Sequence, residues 1–159
     1  MRITFDTQGG SIVRTELLKH AADSAADKTT STFVLLEDNA ERKYVAQSGL
    51  VGGDVPNHLT VMTFKGERAL KDGTDQMVVR FESPVQGGVQ LIKSYTLKRG
   101  SYEFPVRHEI VNQGGAPVQP QLYMQLVRGA GTSGGSFITN PTGTFTGPAV
   151  YTDAQKYQK

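Results

Sequence analysis

The sequence predicts an all-β fold, an antiparallel β-sandwich, and three observations carry that prediction. Apolar and polar residues alternate with period two through segment after segment. Eighteen glycines and seven prolines punctuate those segments, as short strands joined by many turns require. The hydrophobic fraction, 37% of 159 residues, is low for a helical bundle but enough for one core, since a chain of this size buries roughly 70% of its unfolded surface.

In chain order, residues 2–7 and 11–18 flank Gln8-Gly9-Gly10 and read as a hairpin. Residues 15–26 are also compatible with a frayed helical turn. Residues 32–37 carry Phe33, Val34, Leu35 and Leu36, apolar on both faces, and so predict a central strand. Met77, Val79 and Phe81 oppose Gln76, Val78, Arg80 and Glu82. A three-strand meander should follow over residues 88–98, 102–112 and 118–128, turning at Lys98-Arg99-Gly100-Ser101 and Gly114-Gly115-Ala116-Pro117. Its dry faces are expected to be Val89, Leu91, Tyr95 and Leu97, then Tyr102, Phe104, Val106, His108 and Ile110, and then Leu122, Met124 and Leu126. At the end, Thr152 or Asp153 could cap a short helix, with Tyr151 and Tyr157 packing it onto the sheet. With no internal repeat or linker, residues 1–159 divide most simply as a single domain.

Charge and special residues exclude several classes. The formal charge is +2 with 20% charged residues of interspersed sign, and the densest basic spot, Lys98-Arg99, runs into Gly100. Nucleic acid is therefore not an expected partner. The absence of cysteine removes disulfides and thiolate metal sites; it suits an oxidising envelope compartment, though many cytosolic proteins share it. No apolar run approaches the ~20 residues of a membrane-spanning helix. Met1-Arg2 leads directly into the strand-like Ile3-Thr4-Phe5-Asp6 without a signal peptide, and the last residues, from Asp153, form a polar run. Both ends read as those of an excised piece.

Motifs that suggest chemistry fail on context. Gly129-Ala130-Gly131-Thr132-Ser133-Gly134 has the dinucleotide-binding glycine spacing, but Ser136-Phe137-Ile138-Thr139-Asn140-Pro141 cannot open the helix it needs. Gly131-Thr132-Ser133-Gly134-Gly135 matches a nucleophile elbow, yet no histidine occurs after His108. Asn140-Pro141-Thr142 is barred from glycosylation by its proline. His20, His58 and His108 lack partners at metal-site spacings. His108 lies on a dry face and reads as a core or groove histidine satisfied by a neighbour; Glu109 points the opposite way. Glu103, Arg107 and Glu109 read as a solvated ladder of alternating charge. No catalytic, cofactor-binding or metal-binding residue is assigned, so the domain is expected to bind and position rather than react.

The run Tyr44-Val45-Ala46-Gln47-Ser48-Gly49-Leu50-Val51-Gly52-Gly53-Asp54-Val55-Pro56-Asn57 is similar to a recurring segment of the large periplasmic domain of the Gram-negative YidC membrane-protein insertase. The surroundings agree in order: Phe5-Asp6-Thr7-Gln8-Gly9-Gly10-Ser11-Ile12 resembles its opening hairpin, and Phe33-Val34-Leu35-Leu36-Glu37 the strand before its Gln-Ser-Gly-Leu segment. Residues 93–102 resemble its central hairpin, Val111-Asn112 ends the next strand as in the family, and residues 145–151 resemble its Phe-x-Gly-x-x-x-Tyr stretch. The resemblance spans nearly the whole chain.

It implies a β-supersandwich related in shape to galactose-mutarotase-like sandwiches, on the periplasmic side of the inner membrane. It also implies contact with SecD, SecF and other Sec translocon components, and with nascent membrane proteins. The family offers no catalytic motif and no cofactor to carry over. The family's domain continues into further strands and a helix, so this chain is expected to be its N-terminal part, an incomplete sandwich. Its exposed edges should then need missing segments or associate with another chain. The alternative is a carbohydrate-binding or aldose-epimerase-like sandwich, for which His108 would be the base and no carboxylate partner can be named. A passive spacer is a third possibility.

Overall fold

Most alternating segments form strands, but residues 102–105, expected to open the second strand of the meander, are not strand, and that strand begins at Val106. The computed structural model describes residues 1–21, 32–129, 150–154 and 156–158, in two units, Met1–Gly129 and Ala130–Lys159. The first holds β1 (Arg2–Asp6), β2 (Ser11–Ala21), β3 (Thr32–Asp38), β4 (Lys43–Val51), β5 (Thr63–Gly66), β6 (Gln76–Glu82), β7 (Val89–Lys98), β8 (Val106–Asn112) and β9 (Gln121–Arg128). One sheet has the order β1-β2-β3-β4-β9 and the other β5-β6-β7-β8, with every pairing antiparallel. No helix occurs among the described residues, and the all-β sandwich expected from the alternation is what forms.

The core lies between the sheets. Ile12, Leu36 and Leu50 from the first meet Val79, Phe81, Val89, Leu91 and Tyr95 from the second. The predicted dry faces of β6 and β7 are correct: Phe81 is 2% exposed and Val89 and Leu91 are fully covered, while Val78, on the other parity, is open. Burying such side chains is worth about 1.5–3 kcal/mol each.

The opening hairpin forms as expected, closed by Gly9 and Gly10 at φ of 69° and 57°. Gly10 has a second reason to be glycine, since a Cβ there would lie 2.8 Å from the Phe81 ring. Gly10→Ala is therefore expected to cost about 1–3 kcal/mol, read as a lowered urea midpoint, from left-handed backbone strain and displacement of Phe81. The turn is bonded to the chain leading into β5, Gly9 N–H to Thr60 O at 2.7 Å and Met62 N–H to Thr7 O at 2.8 Å. That ties the two sheets together at one end.

Three expectations are corrected and a fourth, the central strand, is met in position only. The frayed turn at residues 15–26 is instead strand through Ala21, because β1 and β3 pair with it and override local propensity; residues 22–26 lie outside the described residues. The strand at residues 32–38 sits between β2 and β4 in the sheet order. Its pairing with β4, however, is confined to Glu37–Asp38, because β2 takes the place beside β4 at Ile12–Ala46. Phe33 and Leu35 stay exposed, so only one of its faces is dry.

The meander is correct for β7 and β8, joined through Gly100 at φ 73°, and wrong for the third strand. Gly114–Pro117 is no hairpin turn: β9 crosses to the other sheet and pairs along Tyr44–Val51 of β4. A glycine–proline cluster breaks a strand equally well before a hairpin or a crossover. Here Asn112 organises the exit, donating to Ala116 O at 2.9 Å and accepting from Gly114 N–H at 2.9 Å.

In the second unit, β10 (Val150–Tyr151) pairs antiparallel with β11 (Tyr157–Gln158), so that Tyr151 and Tyr157 are register partners. A hairpin stands where a short helix was considered, its turn closed by Thr152 N–H to Lys156 O at 3.3 Å.

Candidate functional site

The alternation of β7 puts one charged residue on its dry face. Lys93 falls in phase with Val89, Leu91 and Tyr95 and is 0% exposed. Its Nζ donates to Gly9 O in the β1–β2 turn and to Ser48 O on β4, both at 2.5 Å. The side chain thus pins one sheet to the other. Burial, uncompensated by any carboxylate among the described residues, pushes its pKa down to about 8. Sequence reasoning missed this residue, although the signal was there: a lysine in phase with four apolar neighbours on one strand.

Two further side chains make the same crossing. Tyr95 donates its hydroxyl to Gly10 O at 2.7 Å, and burial pushes its pKa up. His108, the register partner of Lys93 on β8, places Nε2 2.8 Å from Ser48 Oγ. Burial first, and the Lys93 charge second, hold the imidazole below its ordinary pKa. The neutral ring can then accept the Ser48 hydroxyl proton. The expectation for His108 is met, since a neighbour satisfies it. An NMR titration should show His108 protonating below about 6.5 in the intact domain, with Lys93→Met moving it upward toward that value.

Beside this seam lies a cleft of about 260 Å³, bordered by Ser48, His108, Val106, Met124 and Leu126. It opens between β8 and β9, each the edge of its sheet. Met124 is the register partner of Ser48 and Leu122 that of buried Leu50, so the apolar face of β9 points inward, as the alternation predicts. It is not dry: Met124 is 73% and Leu126 66% exposed. Val106 and Ile110 on β8 are open as well. This side of the sandwich is unclosed among the described residues.

The remaining sequence candidates do not converge. His20 is exposed on β2 and lies 5.4 Å from the Tyr102 ring. His58 packs edge-on against Tyr123 at 5.8 Å and bonds its hydroxyl through Nδ1. Glu109 points away from His108 to Arg80 and Arg107, each at 3.3 Å. Glu103 precedes β8 and stands outside that ladder, its N–H held by Ser101 Oγ at 3.1 Å. No three His, Asp or Glu residues among those described could hold a metal ion. The glycine stretch, the elbow-like pentapeptide and Asn140-Pro141-Thr142 lie outside the described residues beyond Gly129.

Chemically, Ser48 and His108 form half of a nucleophile–base arrangement. Among the described residues nothing orients the other ring nitrogen, and no carboxylate faces His108. The acid–base pair of an epimerase is therefore not assembled there. The cleft is suited to taking apolar side chains beside the neutral Ser48–His108 pair.

Comparison with known proteins gives a consistent result. A family model described as the YidC periplasmic domain matches residues 1–159. The chain is 48% identical over 153 residues to the membrane protein insertase YidC of Aromatoleum aromaticum, covering 96% of this chain and 27% of that protein. It is 41% identical over 163 residues to the same-named protein of Janthinobacterium sp. (strain Marseille), covering 100% and 27%. Against that of Bordetella pertussis it is 42% identical over 165 residues, covering 100% and 28%. The chain thus spans about a quarter of the length of the curated relatives it matches.

Proposed function

The chain belongs to the YidC periplasmic domain family, and on that premise we propose that it is a non-catalytic contact module on the periplasmic side of the inner membrane. In this reading it assists membrane-protein insertion by holding Sec accessory subunits, SecD and SecF, near the insertase, within reach of nascent membrane proteins. The observation that carries the reading is the unclosed side of the sandwich. Val106, Ile110, Leu122, Met124 and Leu126 stand open along two edge strands. Unpaired edges beside an apolar face favour another polypeptide over a small substrate. The Ser48–His108 pair supports it too, since its partners are structural ones, the Lys93 pin and the sheet.

The test is site-specific photocrosslinking in cells, in the full-length insertase, with the crosslinker at Ile110, Met124 or Leu126 and controls at exposed Leu59 and Val78. Crosslinks to SecD or SecF from the first set and not the controls are expected. Products confined to the insertase itself would remove the Sec contact and leave the open side to the protein's own remaining segments.

A further inference from the structure

Five of the nine core-packed side chains that stay partly open meet in one place. Ile3, Phe5, Phe64, Met77 and Leu97 pack on the core without being fully covered, and all five line a single slot of about 1000 Å³. It lies away from the β8–β9 cleft, where edge strands β1 and β5 separate beyond the Thr7–Met62 hydrogen bond. Val79 and Phe81 also line it. None of these side chains carries a hydrogen-bonding group.

The rim is of opposite character. Arg2, Lys19, Arg68, Lys98 and Arg99 border the slot against a single acid, Glu67. Glu67 is engaged by Lys71 at 2.8 Å, so it does not neutralise the rim. Arg2 is paired with Glu16 at 2.8 Å, and Arg99 donates to the Lys71 and Thr74 carbonyls. Lys19 and Lys98 have no carboxylate partner among the described residues, and Arg68 lies over the Phe64 ring at 5.5 Å. The slot therefore offers an apolar bed under an excess of positive charge.

We infer that this slot binds a free long-chain fatty acid, its hydrocarbon tail on Phe5, Phe64 and Leu97 and its carboxylate at the rim of Lys19, Arg68 and Lys98. A slot of this volume is of ligand size. The tail gains by leaving water, and a carboxylate complements the unpaired cations.

The experiment uses the full-length insertase in phosphatidylcholine nanodiscs and a diazirine-bearing palmitate, with labelled peptides mapped by mass spectrometry. Labelling should fall within residues 2–5, 64–70 and 97–102. Palmitate should compete, and uncharged hexadecanol should compete roughly tenfold less well. The double variant Arg68→Glu/Lys98→Glu, both at exposed positions, should lower labelling roughly tenfold with an unchanged thermal melt. Leu97→Trp, which narrows the slot and leaves the charge, should lower it independently. Labelling elsewhere or none at all, equal competition by hexadecanol, undiminished labelling in the charge-reversed variant, or displacement by phosphatidylglycerol but not palmitate would each overturn the assignment.

Discussion

Replacing Lys93 with alanine is expected to lower the stability of the domain by about 2–4 kcal/mol, measured as a shift in the urea midpoint at constant slope. Two costs add. Gly9 O and Ser48 O, now bonded by Nζ, would be buried without a donor, and the space left by a fully covered side chain would open between the sheets. One gain opposes them, since the alanine variant no longer buries a charge without a counter-ion. Lys93→Met separates these contributions. It keeps the volume and removes the charge and the hydrogen bonds, so it should lose clearly less than alanine.

The pH dependence follows from the same residue. Its pKa is about 8 in the fold against an ordinary 10.5. Below pH 8 both folded and unfolded chains hold the proton and the penalty of burying it is constant. Above pH 8 the folded state releases it while the unfolded state retains it, so stability rises with pH. The rise should run from about pH 8 to about pH 10. Beyond that, Tyr95, whose pKa is raised in the fold, begins to ionise in the unfolded chain and works the other way. His108 faces Lys93 and acts lower down: with its folded pKa depressed, stability should fall as pH drops through about 6.5. Unfolding measured at intervals between pH 7 and 10 should show an upward slope in the wild type that Lys93→Met abolishes. An identical slope in both proteins would show that Lys93 is not the group responsible.

The largest purely apolar effect should come from Phe81→Ala, at about 3–5 kcal/mol. The ring is 2% exposed and touches three others: Phe5 at 5.5 Å, Phe64 at 5.7 Å and Tyr95 at 6.3 Å between centroids. It also fills the space above Gly10. Because Phe5 belongs to one sheet and Phe64 and Tyr95 to the other, truncation should loosen the contact between sheets rather than one strand. Phe81→Leu, which keeps most of the volume, should recover more than half of the loss. A cost below about 1 kcal/mol for alanine would mean that the site collapses freely and that the ring is not a keystone of the core.

Much of this architecture is written in residue order, because period two is a local property. Alternation from Gln76 to Glu82 and from Val89 to Lys98 marks β6 and β7 and their dry faces, and Gly9-Gly10 and Gly100 mark tight turns through a backbone conformation that other residues resist. Family membership was legible too, since ordered short segments survive from Phe5 to Tyr151. The pattern even contains the seam residue, for Lys93 sits in phase with Leu91 and Tyr95. What alternation cannot say is whether an inward face is covered. Leu122, Met124 and Leu126 carry the same pattern as a core strand, yet lie open because β9 leaves its neighbour in sequence and pairs with β4 instead. Strand partners are chosen by contacts between residues far apart in the chain, and a glycine–proline break is silent about that choice. The same holds for the carbonyls that accept Lys93, which lie 84 and 45 residues away from it. By itself, then, the sequence determined the all-β class, most of the long strands, the inward faces of β6 and β7, and the family of this protein. The tertiary structure alone decided which faces meet, where the buried lysine finds its partners and which side of the sandwich stays open, because those depend on pairings that no local pattern encodes.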